Sequence, residues 1–257
     1  PLAERLSVTQ IPSASVLPFL LLTAPAANAR MLAVGNPARM AHQATFDATA
    51  LPALPLAYAE AEAQSVAAGY SGSTVLTGAS ATADAVRRAL PNHRILHLAT
   101  HGVLSADAPM LSSLLMADGE SLTLDDLMGM RLDADLVVLS ACNTGIDKES
   151  NGNDVPGFTR GLLVAGARSA IVSLWPVDDA ATRQLMEHFY AALRSGLTSA
   201  AALRSAQMTA RAATGSGAPA EVQPNAKPDA RPDAGASAVP IAAPRHPHYW
   251  AAFVLVG

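Results

Sequence analysis

Short apolar runs alternate along the chain with longer amphipathic stretches. The runs are rich in Val, Leu and Ile, as is typical of strands buried on both faces. They predict strands at residues 31–35, 74–77, 94–100, 135–141, 168–175 and 249–256, and a short strand or hairpin arm at 112–117. The stretches between them predict helices at about residues 48–69, 80–90, 124–130, 158–165, 180–194 and 198–213. This alternation indicates an α/β fold, with a mostly parallel central sheet and helices on both faces.

Local sequence signals indicate where two helices begin and which segment is disordered. Thr123 and Asp126 have the spacing of a capping box, in which a hydroxyl and an acid satisfy the free amides of a helix amino terminus. Asp178 can cap the long helix that follows it. Residues 213–247 hold seven of the 18 prolines, with Gly, Ala and Asp between them, and cannot bury enough surface to offset their ordering entropy. We expect one domain over residues 1–257 that contains this disordered proline-rich surface loop.

Composition narrows the classes of function. The 257 residues are 50% hydrophobic and 15% charged, which suffices for one large α/β domain or two small ones. A net charge of -4 at pH 7 does not indicate the basic surface that nucleic-acid binding requires. No run of 18 apolar residues exists, so no membrane span is predicted. We therefore expect neither nucleic acid nor a membrane as a partner.

The beginning of the chain and its single cysteine bear on location. The apolar run at 16–22 resembles a signal peptide, but Arg5 before it is offset by Glu4, so we interpret the run as a core segment. The chain begins at Pro1 without a methionine, and we expect it to be the carboxyl-terminal part of a longer protein. One cysteine excludes an internal disulfide and favours a reducing compartment, so the expected location is the cytoplasm.

Two reactive side chains follow two of the predicted strands. His101 comes directly after the strand at 94–100, and Cys142 directly after the strand at 135–141. Because ligands bind at the carboxyl ends of parallel strands, we expect the thiol and the imidazole to meet there. Together they have the chemistry needed for acyl transfer through a cysteine nucleophile. The alternatives are a small buried apolar role for Cys142 and a loop hydrogen bond for His101.

Five sequence blocks surround this pair in a fixed order. They are HLATHG at 97–102, LSACNTG at 139–145, AGARS at 165–169, SLWPVDD at 173–179 and HYWAAFVLVG at 248–257. In order and spacing they resemble the CHAT domain, a caspase-like peptidase domain of clan CD type that is often fused to tetratricopeptide repeats in bacteria. The resemblance to caspases and separase is more distant. Two departures concern loops near the expected cleft: Asn143 stands where the family usually has Glu, and Gly152-Asn-Asp-Val155 where Gly-Glu-Gly-Val is expected.

The resemblance implies a caspase-like fold and a role for each site residue. The thiolate of Cys142 would attack the scissile carbonyl, and His101 would protonate the leaving amine and later activate water. The amides of Gly102 and Cys142 would form the oxyanion hole. By analogy with separase, Asp178 or Asp179 would line a pocket that favours Arg or Lys before the cut. Helix capping competes for Asp178, which makes Asp179 the better candidate.

Other candidate residues point to the core. His97 lies four residues before His101 in the same predicted strand, so it shares that face but lies deeper, and we interpret it as a core histidine. Trp175 and Trp250 occur in apolar strands and are expected in the core. The remaining histidines lack the spacing of metal ligands, so neither a metal nor a cofactor is expected.

These features lead to one expected function and two alternatives. We expect an endopeptidase that cleaves a protein substrate in bacterial defence or signalling, with an activating sensor or tetratricopeptide-repeat region as a partner. A catalytically inactive interaction module of the same fold is the first alternative, and the intact Cys-His pair argues against it. A nucleotide-binding domain is the second, but the turn after 31–35 lacks the G-x-G-x-x-G spacing.

Overall fold

The structure is a computed structural model of the chain. It describes residues 5–11, 29–42, 51–103, 105, 108–140, 154–175, 177–212 and 247–257. Several features singled out in the sequence lie outside the described residues: the apolar run at 16–22, Cys142, Asn143, Gly152 and residues 213–246 of the predicted loop.

Strands and helices follow one another in the predicted alternation. The strands are β1 (Met31–Pro37), β2 (Ala41–His42), β3 (Leu51–Pro52), β4 (Thr74–Gly78), β5 (Ile95–Ala99), β6 (Gly102–Val103), β7 (Ser113–Leu115), β8 (Ser121–Thr123), β9 (Leu136–Leu139), β10 (Ala170–Ser173) and β11 (Phe253–Val256). The α-helices are α1 (Ala59–Ala67), α2 (Ala83–Ala89), α3 (Leu124–Met128), α4 (Asp154–Val164), α5 (Asp179–Arg194), α6 (Ser199–Ala212) and α7 (Pro247–Trp250). Single 3-10 turns lie at Leu90–Asn92, Pro109–Leu111 and Ala117–Gly119.

A six-stranded sheet forms the centre of the fold, in the order β11-β10-β9-β5-β1-β4. Neighbouring strands are parallel, except that β11 runs antiparallel to β10. The predicted α/β class with a mostly parallel sheet is therefore confirmed. The strand order changes direction beside β1, which is followed by β4 on one side and by β5 on the other. Open α/β sheets bind their ligands at such a switch point.

Helices cover both faces of this sheet, as its fully buried strands require. On β5, Leu96 and Leu98 pack in a layer with residues of α2, α3 and α4. Ile95 points to the opposite layer, which α1, α5 and α6 complete. His97 lies in this second layer, where its ring contacts Tyr190 of α5. The alternation along one strand thus determines which helices each side chain meets.

A small antiparallel sheet, β6-β7-β8, follows directly after His101. Strand β7 confirms the hairpin arm predicted at 112–117. Gly102 begins β6 and pairs with Leu114, because the chain enters this second sheet directly after His101. At the end of β8, Thr123 and Asp126 form the predicted capping box of α3.

Three predicted boundaries are wrong by four residues or more: one is the start of α4, predicted at residue 158 and observed at Asp154. The helix predicted at 48–69 begins only at Ala59, because Pro52 and Pro55 lack amide hydrogens and disfavour helical backbone in the residues before them. The strand predicted at 249–256 begins only at Phe253. Residues 247–250 form α7 instead, which begins with Pro247, a residue suited to the first position of a helix. Trp250, predicted in a strand, therefore lies in a helix, although its side chain is buried as expected.

An ion cluster joins the amino ends of three parallel strands. Arg94, directly before β5, binds Asp135, directly before β9, through two hydrogen bonds of 2.8 Å (Nε to Oδ2) and 2.6 Å (Nη2 to Oδ1). Arg168, two residues before β10, brings Nη1 to 3.2 Å from Asp135 Oδ1. Because Asp135 is buried and its guanidinium partner is bidentate, this contact is geometrically specific. The cluster lies at the edge of the sheet opposite to His101.

Candidate active site

His101 lies at the carboxyl edge of the sheet, two residues after β5 ends, and is 6% exposed. Its Nε2 is 2.7 Å from the backbone carbonyl oxygen of Leu54. A carbonyl can only accept a hydrogen bond, so Nε2 must carry the proton. Nδ1 of the neutral ring is then the basic nitrogen. Among the described residues, the buried Nδ1 has no hydrogen-bond partner. The ring is thus held in the tautomer that leaves Nδ1 able to accept a proton.

The segment that carries the Leu54 carbonyl is itself held by hydrogen bonds. The amide of Ala53 donates to the carbonyl of Met40 at 2.9 Å, and the amide of Leu56 donates to Oδ1 of Asn36 at 3.0 Å. Asn36 lies near the end of β1, at the switch point of the sheet. The Leu54 side chain is 81% exposed, so its backbone, not its side chain, is the part of this residue fixed against the protein.

The strands that lead to His101 and Cys142 are neighbours. β5 and β9 pair in parallel, with Leu98 opposite Leu139, and the amide of Ser140 donates to the carbonyl of Leu98 at 3.0 Å. Two residues further along the chain is Cys142, which lies outside the described residues. The two strand ends are therefore adjacent, and the meeting of thiol and imidazole stays a prediction.

The predicted acids have different surroundings. Asp178 caps α5, since its carboxylate accepts a hydrogen bond of 2.9 Å from the amide of Ala181, and it is exposed. This is the capping role that competed with the pocket in the sequence. Asp179 is half-buried and lies beside the backbone amide of Ala57, in the segment that holds His101. The structure thus brings Asp179, and not the Asp178 carboxylate, into contact with this segment.

Electrostatics around Asp179 follow from this placement. Burial raises the pKa of the Asp179 carboxyl above its usual range, and the negative charges of Glu62 and Asp178 raise it further. His101 and the amide of Ala57 act in the opposite direction. Glu62, Asp178 and His101 therefore all influence the pKa of Asp179.

Asp179→Asn is expected to raise the melting temperature at pH 7. The folded state binds the Asp179 proton more tightly than the unfolded chain, so this carboxyl stabilises the fold at low pH and that contribution is lost as pH rises through the raised pKa. Asparagine removes the charge and keeps an oxygen for the Ala57 amide. The gain, measured by thermal melts, should disappear below the usual pKa range of aspartate. Asp178→Asn makes the same change at the helix cap, where asparagine serves as well as aspartate, and should give a smaller gain, since it removes only one of the charges that act on Asp179. A lower melting temperature for Asp179→Asn at pH 7 would contradict the expectation.

A buried carboxylate that sequence reasoning missed lies beneath this edge. Glu62 of α1 is 2% exposed and accepts a hydrogen bond from the hydroxyl of Ser140. Its Oε1 lies 3.0 Å from Nε2 of His97, which is within ion-pair distance. The two atoms are not aligned for a hydrogen bond. On the other side of the ring, Nδ1 of His97 is 3.2 Å from the hydroxyl of Tyr190. We call Glu62, His97, Ser140 and Tyr190 the buried polar cluster.

One signal in the sequence could have found this cluster. Ala59, Ala63 and Val66 recur at helical spacing and form the buried face of α1, and Glu62 falls on the same face. An acid among small apolar residues on a buried face needs a polar partner. The core position predicted for His97 is observed, at 0% exposure, and Glu62 is its partner.

The described part of the chain shows neither a metal-binding cluster nor a membrane-spanning helix. The described residues contain no group of three or more His, Cys, Asp or Glu side chains placed to hold a metal ion. None of the described helices has the length and apolar character needed to cross a membrane.

Comparison with known proteins adds a family relationship. The sequence profile of the CHAT domain family matches residues 1–257. Tetratricopeptide repeat protein 28 from Homo sapiens is 31% identical over 168 residues, which are 64% of this chain and 5% of that protein. The protein of the same name from Mus musculus is 31% identical over 156 residues, 59% of this chain and 5% of that protein. The chain thus spans a small part of these relatives. Both are mammalian, so they do not indicate the bacterial setting expected from the resemblance.

Proposed function

The chain belongs to the CHAT domain family, and from that membership we propose that it is a caspase-like cysteine endopeptidase that cleaves a protein substrate through His101 and Cys142. The single observation that carries the proposal is the state of His101. Its Nε2 donates to a fixed backbone carbonyl and its Nδ1 is left buried and unpartnered among the described residues, at the end of a strand beside the one that leads to Cys142.

The proposed reaction follows from this tautomer. Nδ1 of His101 takes the thiol proton of Cys142, and the sulfur attacks the scissile carbonyl carbon to form a tetrahedral intermediate. The imidazolium then gives the proton to the leaving amine, the carbon–nitrogen bond breaks, and an acyl-enzyme thioester remains. Water loses a proton to Nδ1 as it attacks the thioester, and the thiol is regenerated when the acid product leaves. The Leu54 carbonyl stabilises the imidazolium through the Nε2 proton.

Two backbone amides are proposed to stabilise the developing charge. The amides of Gly102 and Cys142 would donate to the oxyanion, and loss of one such donor costs about 3 kcal/mol of transition-state stabilisation. The position of Gly102 supports this, because it follows His101 directly at the start of β6. A Cβ atom built on Gly102 would have no neighbour closer than 3.8 Å, so packing alone does not require a glycine there.

The specificity is proposed to depend on Asp179. A carboxylate near the cleft attracts a basic side chain, and the position of Asp179 beside the segment that holds His101 supports a pocket for Arg or Lys before the cut. Asp178 is excluded from that role in our proposal, since its carboxylate caps α5. The partners proposed are a protein substrate and an activating sensor or tetratricopeptide-repeat region. Both relatives are tetratricopeptide repeat proteins by name, which supports the latter. A reducing compartment such as the cytoplasm would keep the thiol active.

A positional library of fluorogenic peptides tests this function. Wild-type protein is expected to cleave, with a preference for Arg or Lys before the cut, and Cys142→Ala is expected to be inactive. Asp179→Asn should reduce the preference for basic residues, while the matched variant Asp178→Asn should keep it. A preference for neutral residues would reject the pocket. If wild type cleaves no peptide and its Cys142 reacts with iodoacetamide no faster than a free thiol, the inactive interaction module replaces the endopeptidase.

A further inference from the structure

The buried polar cluster connects the two strands that lead to the proposed catalytic pair. Glu62 comes from α1, and its carboxylate contacts His97 in the middle of β5 and Ser140 at the end of β9. His101 follows His97 by four residues, and Cys142 follows Ser140 by two. Glu62 thus contacts both of the strands that lead to the proposed catalytic residues, below the carboxyl edge of the sheet.

The cost of this arrangement argues against a role in stability alone. Removing a carboxylate from water is costly, and well-packed apolar residues often stabilise a fold as well as a buried ion pair does, or better. The rest of the buried face of α1 is Ala and Val, so an apolar side chain at position 62 would match its neighbours. What an apolar side chain could not do is accept the hydrogen bond of Ser140 and face the imidazole of His97.

We propose that Glu62 is a positioning residue, which acts through Ser140 and His97 to hold the ends of β9 and β5 in one geometry for the reaction of Cys142 with His101. The inference rests on the proposed endopeptidase function. A displacement of about 1 Å between reacting groups can cost up to a hundredfold in rate, so a contact that fixes two adjacent strand ends has a measurable effect on turnover.

The test uses two variants and one matched control. Glu62→Gln keeps the size and an acceptor oxygen but removes the charge that faces His97, and Ser140→Ala removes only the hydroxyl that binds Glu62. Glu60→Gln makes the same charge change two residues away on α1, at an exposed position. The readouts are kcat and KM on the preferred library peptide, the alkylation rate of Cys142 by iodoacetamide, and the melting temperature. Because the chain has one cysteine, alkylation reports on that thiol alone.

We expect kcat to fall about tenfold in each variant with KM changed less than about twofold, and alkylation of Cys142 to slow, while Glu60→Gln matches wild type. The double variant should lose less than the sum of the two single losses, since Ser140 and His97 are contacted by the same side chain. Wild-type kcat and alkylation in the folded variants would overturn the proposal, as would fully additive losses. If Glu62→Gln fails to fold, Ser140→Ala decides. If wild type has no peptidase activity, the proposed function fails while alkylation still decides the role of Glu62.

Discussion

His101→Ala is expected to lower kcat/KM by about a thousandfold on the preferred peptide, within the range of a lost general acid–base catalyst. Without the imidazole, the Cys142 thiol has no base to take its proton and the leaving amine has no acid. The Leu54 carbonyl also loses its donor, but a single hydrogen bond contributes only about 1 kcal/mol to stability. Activity should therefore fall far more than the free energy of unfolding. Steady-state kinetics and urea denaturation on the same preparation measure both quantities.

The matched control for this variant is His188→Ala. His188 is exposed on α5 and lies outside the proposed site, so its removal should leave kcat/KM and stability at wild-type values. A His101→Ala protein that retains more than about a tenth of wild-type activity would show that another group performs the proton transfers. In that case the tautomer set by Leu54 would have no catalytic meaning.

Gly35→Ala is expected to destabilise the protein by about 3 kcal/mol, at the upper end of the cost of overpacking a core. A Cβ atom on Gly35 of β1 would lie 2.3 Å from the carbonyl oxygen of Ala59 and 2.8 Å from the Cβ of Ala63, both on α1. The first contact is backbone and cannot rotate away, so the whole helix must move from the sheet. The melting temperature should fall by about 10 °C, which thermal melts measure.

The consequence extends to activity, because α1 also carries Glu62 and follows the segment with the Leu54 carbonyl. A helix displaced from β1 would take both away from the strands they contact, so kcat should fall even below the melting transition. Gly129→Ala is the matched control: its φ is also negative, and a Cβ there would meet only carbonyl oxygens at 3.5 Å. Equal melting temperatures for the two variants would show that β1 and α1 separate without cost.

Much of the fold could be predicted from the sequence because its signals are local. Strand β5 lies within the run predicted at 94–100, since five consecutive buried residues leave a continuous apolar pattern. Asp178 caps the long helix as predicted, because an N-cap acts on amides within the next three residues. The predicted start of α1 is wrong because Pro52 and Pro55 override the helix propensity of the Ala-rich stretch.

Only part of the candidate site could be predicted from the sequence, because its other contacts join residues that are far apart in the chain. The histidine and its strand could be found because a reactive side chain at the end of an apolar run is visible in the sequence. The group that fixes its tautomer is a backbone carbonyl 47 residues earlier, and a carbonyl has no residue type to identify it. Likewise, the contact of Glu62 with Ser140 spans 78 residues, a distance at which only the folded topology determines neighbours.

The bidentate pair between Arg94 and Asp135 has a consequence for the alignment of the sheet. Parallel strands can slide along one another in steps of one residue, and each step inverts which layer every side chain of the moving strand enters. A slip of β5 against β9 would turn His97 into the layer of α2 and α3, among leucines, and would pull a buried aspartate from its guanidinium. The Arg94–Asp135 pair therefore fixes the register of β5 against β9 at their amino ends. With that register fixed, the carboxyl ends of the two strands lie side by side.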